Sequence, residues 1–300
     1  MPSTLAASYT RCQRLTRHAA RNFYYSFIAL PADQHRAMCA LYAFLRATDD
    51  LGDSTNSVDE RRQALQAWRA ALQSALQGHF DETTDPLLEA LADTVHRFSI
   101  PPEYLHAAID GIEMDLTIDR YETFEELAEY CYRVASVVGL CCIHIWGFHG
   151  EAALEPARRC GLAFQLTNIL RDLKEDAQRG RIYLPLADLR QFGYTESQLL
   201  ASEYNAEFEQ LMIYEIERTE ILYQSARELS GHLTPAGRAA YEAMWSIYHG
   251  LLQEIARRPA DVLSRRLEVP RWKKWRIAAA SCWTMTRHTW FSAGKVEASS

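Results

Sequence analysis

Long stretches of this chain repeat their apolar residues every three to four positions, and the helix-breaking residues fall between those stretches. Only 13 glycines and 10 prolines are spread over 300 residues. Apolar residues at that spacing share one face of an α-helix and no face of a strand. Breakers confined to the junctions therefore predict an all-α fold. The pattern places helices at about 8–20, 33–53, 58–77, 85–98, 102–118, 123–148, 151–178, 195–201, 205–230, 235–258 and 259–268. Asp85-Pro86 and Thr234-Pro235 read as an N-cap followed by a first-turn proline. Residues 180–185 read as an ordered loop. No repeat and no polar linker divides the chain, so one helical domain over residues 1–300 is expected, with its core at about 15–275. A bundle whose facing helices enclose a cavity is the economical arrangement.

Bulk chemistry excludes several classes. A net charge of −7 provides no global basic field, so no nucleic-acid partner is expected. The seven cysteines form no CxxC pair and sit in apolar context, which predicts reduced, buried thiols and a cytoplasmic location. No secretory-signal pattern opens the chain. The apolar run 134–148 is interrupted by Ser136 and His144, is short for a membrane span, and reads as a buried helix.

Two aspartate pairs carry the chemistry. Asp49 and Asp53 lie four apart, as do Asp172 and Asp176, so each pair shares a helix face. Like charges at that spacing weaken a helix by about 0.2–0.5 kcal/mol per pair. Tyr42 and Arg46 extend the first face, and Gln165 and Asn168 the second. Such polar ladders inside a bundle demand partners, because a buried unpaired polar group costs about 1–3 kcal/mol. Mg²⁺, which binds oxygen ligands and lets phosphates complete its shell, meets that demand; Mn²⁺ is the alternative ion. The expectation is a site for diphosphate esters.

The residues around these pairs resemble the squalene/phytoene synthase family. The resemblance rests on Phe23 to Phe27, Ala40 to Arg46, Asp49 to Asp53, Tyr130 to Gly139, and the ungapped run Gly161 to Asp172 continuing to Asp176 and Arg179 to Pro185. It implies an all-α isoprenoid-synthase bundle that joins two polyprenyl diphosphates head to head (1′–1). It further implies that Asp49, Asp53, Asp172 and Asp176 bind Mg²⁺–diphosphate, that Gln165 and Asn168 extend that shell, and that Arg46 and Arg171 contact phosphate. Tyr42 and Tyr130 would line the reaction centre. Tyr248, Arg265 and Lys273 would add diphosphate contacts, with Arg266 able to take the role of Arg265. The Phe-Tyr-Tyr-Ser-Phe opening favours farnesyl diphosphate and a presqualene-diphosphate or squalene-type C30 product. Geranylgeranyl diphosphate and phytoene are the alternative, and a catalytically silent scaffold relative is the reading from another class. The lack of GxGxxG leaves NADPH use open.

Other features are read more plainly. Glu103 and His106 have di-iron spacing but occur once. His144 reads as a core histidine, and Asp110, Glu113 and Asp115 as a solvated acidic face, with a cavity-edge role as the other option. Residues 270–300 are basic and tryptophan-rich; Trp272, Trp275, Trp283 and Trp290 fall on one side of a helix, which suits peripheral contact with the inner membrane face. The sequence leaves the oligomeric state open.

Overall fold

A computed structural model of the chain describes residues 5–19, 30–81 and 83–268. Lys273, the tryptophan-rich segment and the Phe23–Phe27 stretch lie outside the described residues. The regular structure among them is helical, with two isolated bridges and no strand. The major helices are α1 (Leu5–Ala19), α2 (Ala32–Gly52), α3 (Val58–Leu76), α4 (Pro86–Phe98), α5 (Pro102–Met114), α6 (Phe124–Cys131) and α7 (Val137–Trp146). The series continues with α8 (Leu154–Gln178), α9 (Leu186–Gln191), α10 (Glu196–Leu200), α11 (Ala206–Ala226), α12 (Leu229–His232) and α13 (Pro235–Arg257). A 3₁₀ turn, Pro259–Leu263, follows. Among these no helix is long and apolar enough to cross a membrane.

Three expected helices differ. The segment expected at 102–118 ends at Met114, and Asp115 becomes its C-cap. The 123–148 stretch is split by a π-helical turn, Tyr132–Ser136, between α6 and α7. Residues 259–268 form only the 3₁₀ turn, and α9 adds a short helix directly after the loop expected at 180–185. The proline caps hold: Asp85 accepts from the Leu87 amide and Thr234 from the Gly237 amide.

The apolar faces form two clusters. One joins α1 to α5 with α7 and the N-terminal parts of α8 and α13. The other joins α6, the rest of α8, α9 to α11 and the end of α13. Helix α8 runs through both, and Phe164 on it packs against each. The end of α2 is held in register by α3, where Trp68 donates to the Thr48 hydroxyl at 2.9 Å and Arg61 to the Gly52 carbonyl at 2.9 Å. The loop after α8 is tied to the segment after α5, with the Ile182 amide on the Asp119 carbonyl at 3.0 Å and the Leu186 amide on that of Tyr121 at 2.9 Å.

Close helix approach beside the π turn depends on glycine. A Cβ built on Gly161 would lie 2.5 Å from Ser136 Cα, a backbone contact that no rotamer change relieves. Gly161→Ala is expected to cost about 1–3 kcal/mol by overpacking, measured by urea denaturation. A change below about 0.5 kcal/mol would contradict this packing.

The six described cysteines are free and buried. Farther from the site, Arg218 bonds both Asp188 at 2.7 Å and Glu215 at 3.1 Å in a nearly water-free setting. Arg218→Ala would strand two buried carboxylates, and a loss of about 3–5 kcal/mol is expected by the same denaturation assay.

Candidate active site

Two adjoining cavities share a wall. The first, about 350 Å³, is apolar: Leu41, Leu45, Ile112, Val138, Phe164 and Met244 are among its lining. The second, about 310 Å³, is polar and holds Asp49, Asp53, Asp115, Asp172 and Asp176 with Arg46, Arg179 and Arg181. Arg46, Asp49, Gln165 and Asn168 line both, so the aspartate-bearing helices supply the junction. The apolar lining runs along α2 from Asp49 back to Met38. Eleven residues of helix make that depth about 16 Å.

The two sequence motifs thus meet across one chamber. Asp49 and Asp53 stand on the C-terminal end of α2, Asp172 and Asp176 on the C-terminal half of α8. Enclosure in the concave chamber pushes the Asp49 carboxyl up to about 7, against the pull of Arg46 and with help from Asp53, Asp50 and Asp115. Asp49 is nonetheless solvent-exposed, since the chamber is open to water. Burial, reinforced by Asp172, pushes Asp176 up to about 7, against Arg179 and Arg181.

Other sequence-derived residues fall into place around these. Tyr42 lines the apolar cavity near its mouth, and burial pushes its phenol up. Tyr130 is buried in the polar wall and donates to Asp115 Oδ2 at 2.9 Å. Tyr248 stacks on Phe164 with ring centres 4.3 Å apart and bonds Asn168; burial lifts its phenol to about 12. Asn168 in turn donates to Gln165 at 3.4 Å.

Some placements differ from expectation. Arg171 lines neither cavity; it clamps Asp172 through Nε at 2.7 Å and a second, shorter contact. Arg265 is exposed and paired with Asp261 at 2.6 Å, whereas Arg266 reaches Asp172 at 3.0 Å. Of the two neighbours, Arg266 is the one that contacts a site aspartate, although it too lines neither cavity.

The acidic face 110–115 also divides. Asp110 pairs with Arg69 and Arg133 at the surface, and Glu113 with Arg69. Asp115 instead enters the chamber, because α5 ends there and the chain turns inward. Sequence reasoning also assigned no role to Tyr183, Arg181 or Arg179, although all three lie in the Arg179-to-Pro185 run. His144 Nδ1 donates to the Phe98 carbonyl, 3.3 Å away, and His106 contacts Gln73; neither belongs to a metal-holding group among the described residues.

The chain matches the squalene/phytoene synthase family over residues 16–273 and belongs to it. It is 37% identical to a phytoene synthase of Arthrospira platensis over 286 residues, 91% of this chain and 92% of that one. A 15-cis-phytoene synthase of Synechococcus elongatus is 32% identical over 91% of each chain. Among solved structures, a squalene synthase from Alicyclobacillus acidocaldarius superposes with TM-score 0.79 at 29% identity, over 85% of this chain and 95% of that one. A dehydrosqualene synthase in complex with ligand gives TM-score 0.84 at 26% identity, over 94% and 98%. The fold is the all-α isoprenoid-synthase bundle, and the chain is a prenyltransferase of this family.

The acidic wall has a thermodynamic signature. Asp49 and Asp176 hold protons to about pH 7 when folded, whereas an unfolded aspartate releases its proton near its ordinary value of about 3.9. Between those values the folded state binds more protons, so stability of the cation-free protein falls as pH rises from about 4 to 7. Asp176→Asn removes one buried charge, and at pH 8 it is expected to stabilise the cation-free protein by about 1–3 kcal/mol. A lowered melting temperature in EDTA would contradict this.

Proposed function

We propose that the chain condenses two molecules of geranylgeranyl diphosphate head to head into a C40 phytoene-type hydrocarbon, releasing diphosphate. The observation that carries the head-to-head reading is the junction itself: an acidic chamber that adjoins an apolar cavity, a pairing suited to a diphosphate head and a polyprenyl tail. The two relatives from Arthrospira platensis and Synechococcus elongatus bear the name phytoene synthase, which supports the longer substrate over the farnesyl diphosphate expected from residues 23–27. The C30 reading keeps some support from the squalene and dehydrosqualene synthases among the structural neighbours.

A divalent cation fits the donor set. The chamber offers hard carboxylate oxygens, and the carboxyls of Asp49 and Asp176 are raised to about 7 by burial and by neighbouring carboxylates, against the arginines of the wall. Among the described residues no group of three acidic, histidine or cysteine side chains converges on one point as a metal site. Mg²⁺ is commonly held by one or two carboxylates plus substrate phosphates, so the diphosphate is required to complete its shell. In this reading Asp49, Asp53, Asp172 and Asp176 hold Mg²⁺, with Mn²⁺ as a substitute. When bound, the ion supplies Lewis-acid neutralisation of the leaving diphosphate.

The remaining work falls to the chain's own residues. Arg46, Arg179 and Arg181 present guanidinium groups to diphosphate oxygens, for which a planar fork is suited. Gln165 and Asn168 orient the headgroups at the mouth. The apolar lining keeps water from an allylic cation, and the rings of Tyr42 and Tyr130 stabilise it by about 2 kcal/mol when desolvated. Attack by the second substrate's double bond on C1, followed by proton loss, closes a cyclopropyl diphosphate. A second ionisation, with loss of the second diphosphate and then of a proton, gives a C40 hydrocarbon with a central conjugated triene and needs no hydride donor, so NADPH is not required.

Purified protein incubated with Mg²⁺ and geranylgeranyl diphosphate is expected to yield a C40 hydrocarbon by mass spectrometry, unchanged by NADPH and abolished by EDTA. A C30 product from farnesyl diphosphate with none from the C20 substrate would overturn the substrate assignment. Asp53→Asn is expected to lower kcat/KM at least roughly 100-fold, about 2.7 kcal/mol.

A further inference from the structure

Four of the five carboxylates around the polar chamber come from the paired aspartates, and the fifth, Asp115, is bonded differently. Its Oδ2 accepts the Tyr130 hydroxyl at 2.9 Å and its Oδ1 the Tyr183 hydroxyl at 2.9 Å. Its backbone carbonyl accepts an Arg181 guanidinium N–H, also at 2.9 Å. The partners come from α6 and from the loop after α8, while Asp115 caps α5. One residue thus ties three segments of the chamber wall together.

The tyrosine rings it gathers also pack on one another. Tyr130 and Tyr183 stack with centres 5.3 Å apart, and Tyr121 lies 5.4 Å from Tyr130 and 6.0 Å from Tyr183. A phenol carries one proton and two lone pairs. With that proton committed to a carboxylate, the phenol oxygen has only lone pairs left to offer. A charge-assisted bond in a poorly solvated wall is among the stronger ones a protein makes.

We infer that Asp115 is a positioning residue that sets the hydrogen-bond polarity of Tyr130 and Tyr183, so that both phenol oxygens face the chamber as acceptors and never as donors. The inference deepens the head-to-head reading and rests on it for its catalytic meaning. Diphosphate oxygens, which need donors, are left to the arginines. The Tyr183 oxygen already accepts an Arg181 N–H at 3.5 Å, and the phenol lone pairs that remain are left for positive charge developing on carbon.

Asparagine at this position tests the polarity directly. Its amide oxygen still accepts one phenol, but its N–H₂ donates to the other, whose own O–H then swings into the chamber. Asp115→Asn is expected to lower kcat roughly 100-fold while KM for geranylgeranyl diphosphate stays within about threefold and the melting temperature is nearly unchanged. Asp115→Glu keeps two acceptor oxygens and is expected to recover at least tenfold over the asparagine variant. Activity within threefold of wild type for Asp115→Asn, or a loss carried by KM alone, would overturn the inference. So would a glutamate variant no better than asparagine, including the case where the asparagine variant fails to fold and glutamate lies more than tenfold below wild type.

A second measurement does not require turnover. The Raman Fermi-doublet ratio of tyrosine separates phenols that donate strongly from those that only accept. The difference spectrum between wild type and Tyr130→Phe, and that between wild type and Tyr183→Phe, should each carry the donor signature. Its absence overturns the inference even if wild type forms no head-to-head product, an outcome that would separately defeat the proposed function.

Discussion

The constraint on which the structure turns is repulsion among carboxylates that the fold holds close together. Five aspartates surround one chamber, and two of them are enclosed enough to retain protons to about pH 7. Helix propensity does not favour this arrangement, since each i,i+4 acidic pair weakens its own helix. What holds the groups in place is packing on the opposite faces of α2 and α8, where Phe44, Leu166 and Leu170 are almost fully buried. Apolar burial at about 25 cal/mol per Å² supplies the stabilisation that the acidic face lacks.

The same helices make the second half of the site. Above the aspartates α2 and α8 turn apolar, so one pair of helices lines both a charged chamber and a hydrophobic cavity. That juxtaposition matches an amphiphile with a multiply charged head and a long hydrocarbon tail. The π turn at Tyr132–Ser136 lets Val134 and Ala135 enter the cavity wall, while Gly161 allows α8 to pass against it. A stability cost at the functional face is thus coupled to tight packing behind it.

Much of this was legible in the sequence, for identifiable reasons. Helix positions followed from 3.6-residue periodicity, and the starts at Pro86 and Pro235 from local capping chemistry. The facing of Asp49 with Asp53, and of Asp172 with Asp176, is a local property of spacing. Asp115 was harder to read, because its inward turn depends on where α5 stops and on tyrosines 15 and 68 residues away. Arg265 and Arg266 were ambiguous for the same reason: outside a regular helix, adjacent residues carry no period that says which one faces the site. The preference for farnesyl diphosphate rested on residues 23–27 alone, and the phytoene synthases among the relatives favour the longer substrate.

In the proposed function the acidic chamber becomes a diphosphate site only when a divalent cation joins it. Calorimetric titration with inorganic diphosphate, with and without Mg²⁺, tests this without any turnover. Measurable binding is expected in Mg²⁺, little or none in EDTA, with loss of the Mg²⁺-dependent heat in Asp53→Asn. Equal affinity in both conditions would contradict it.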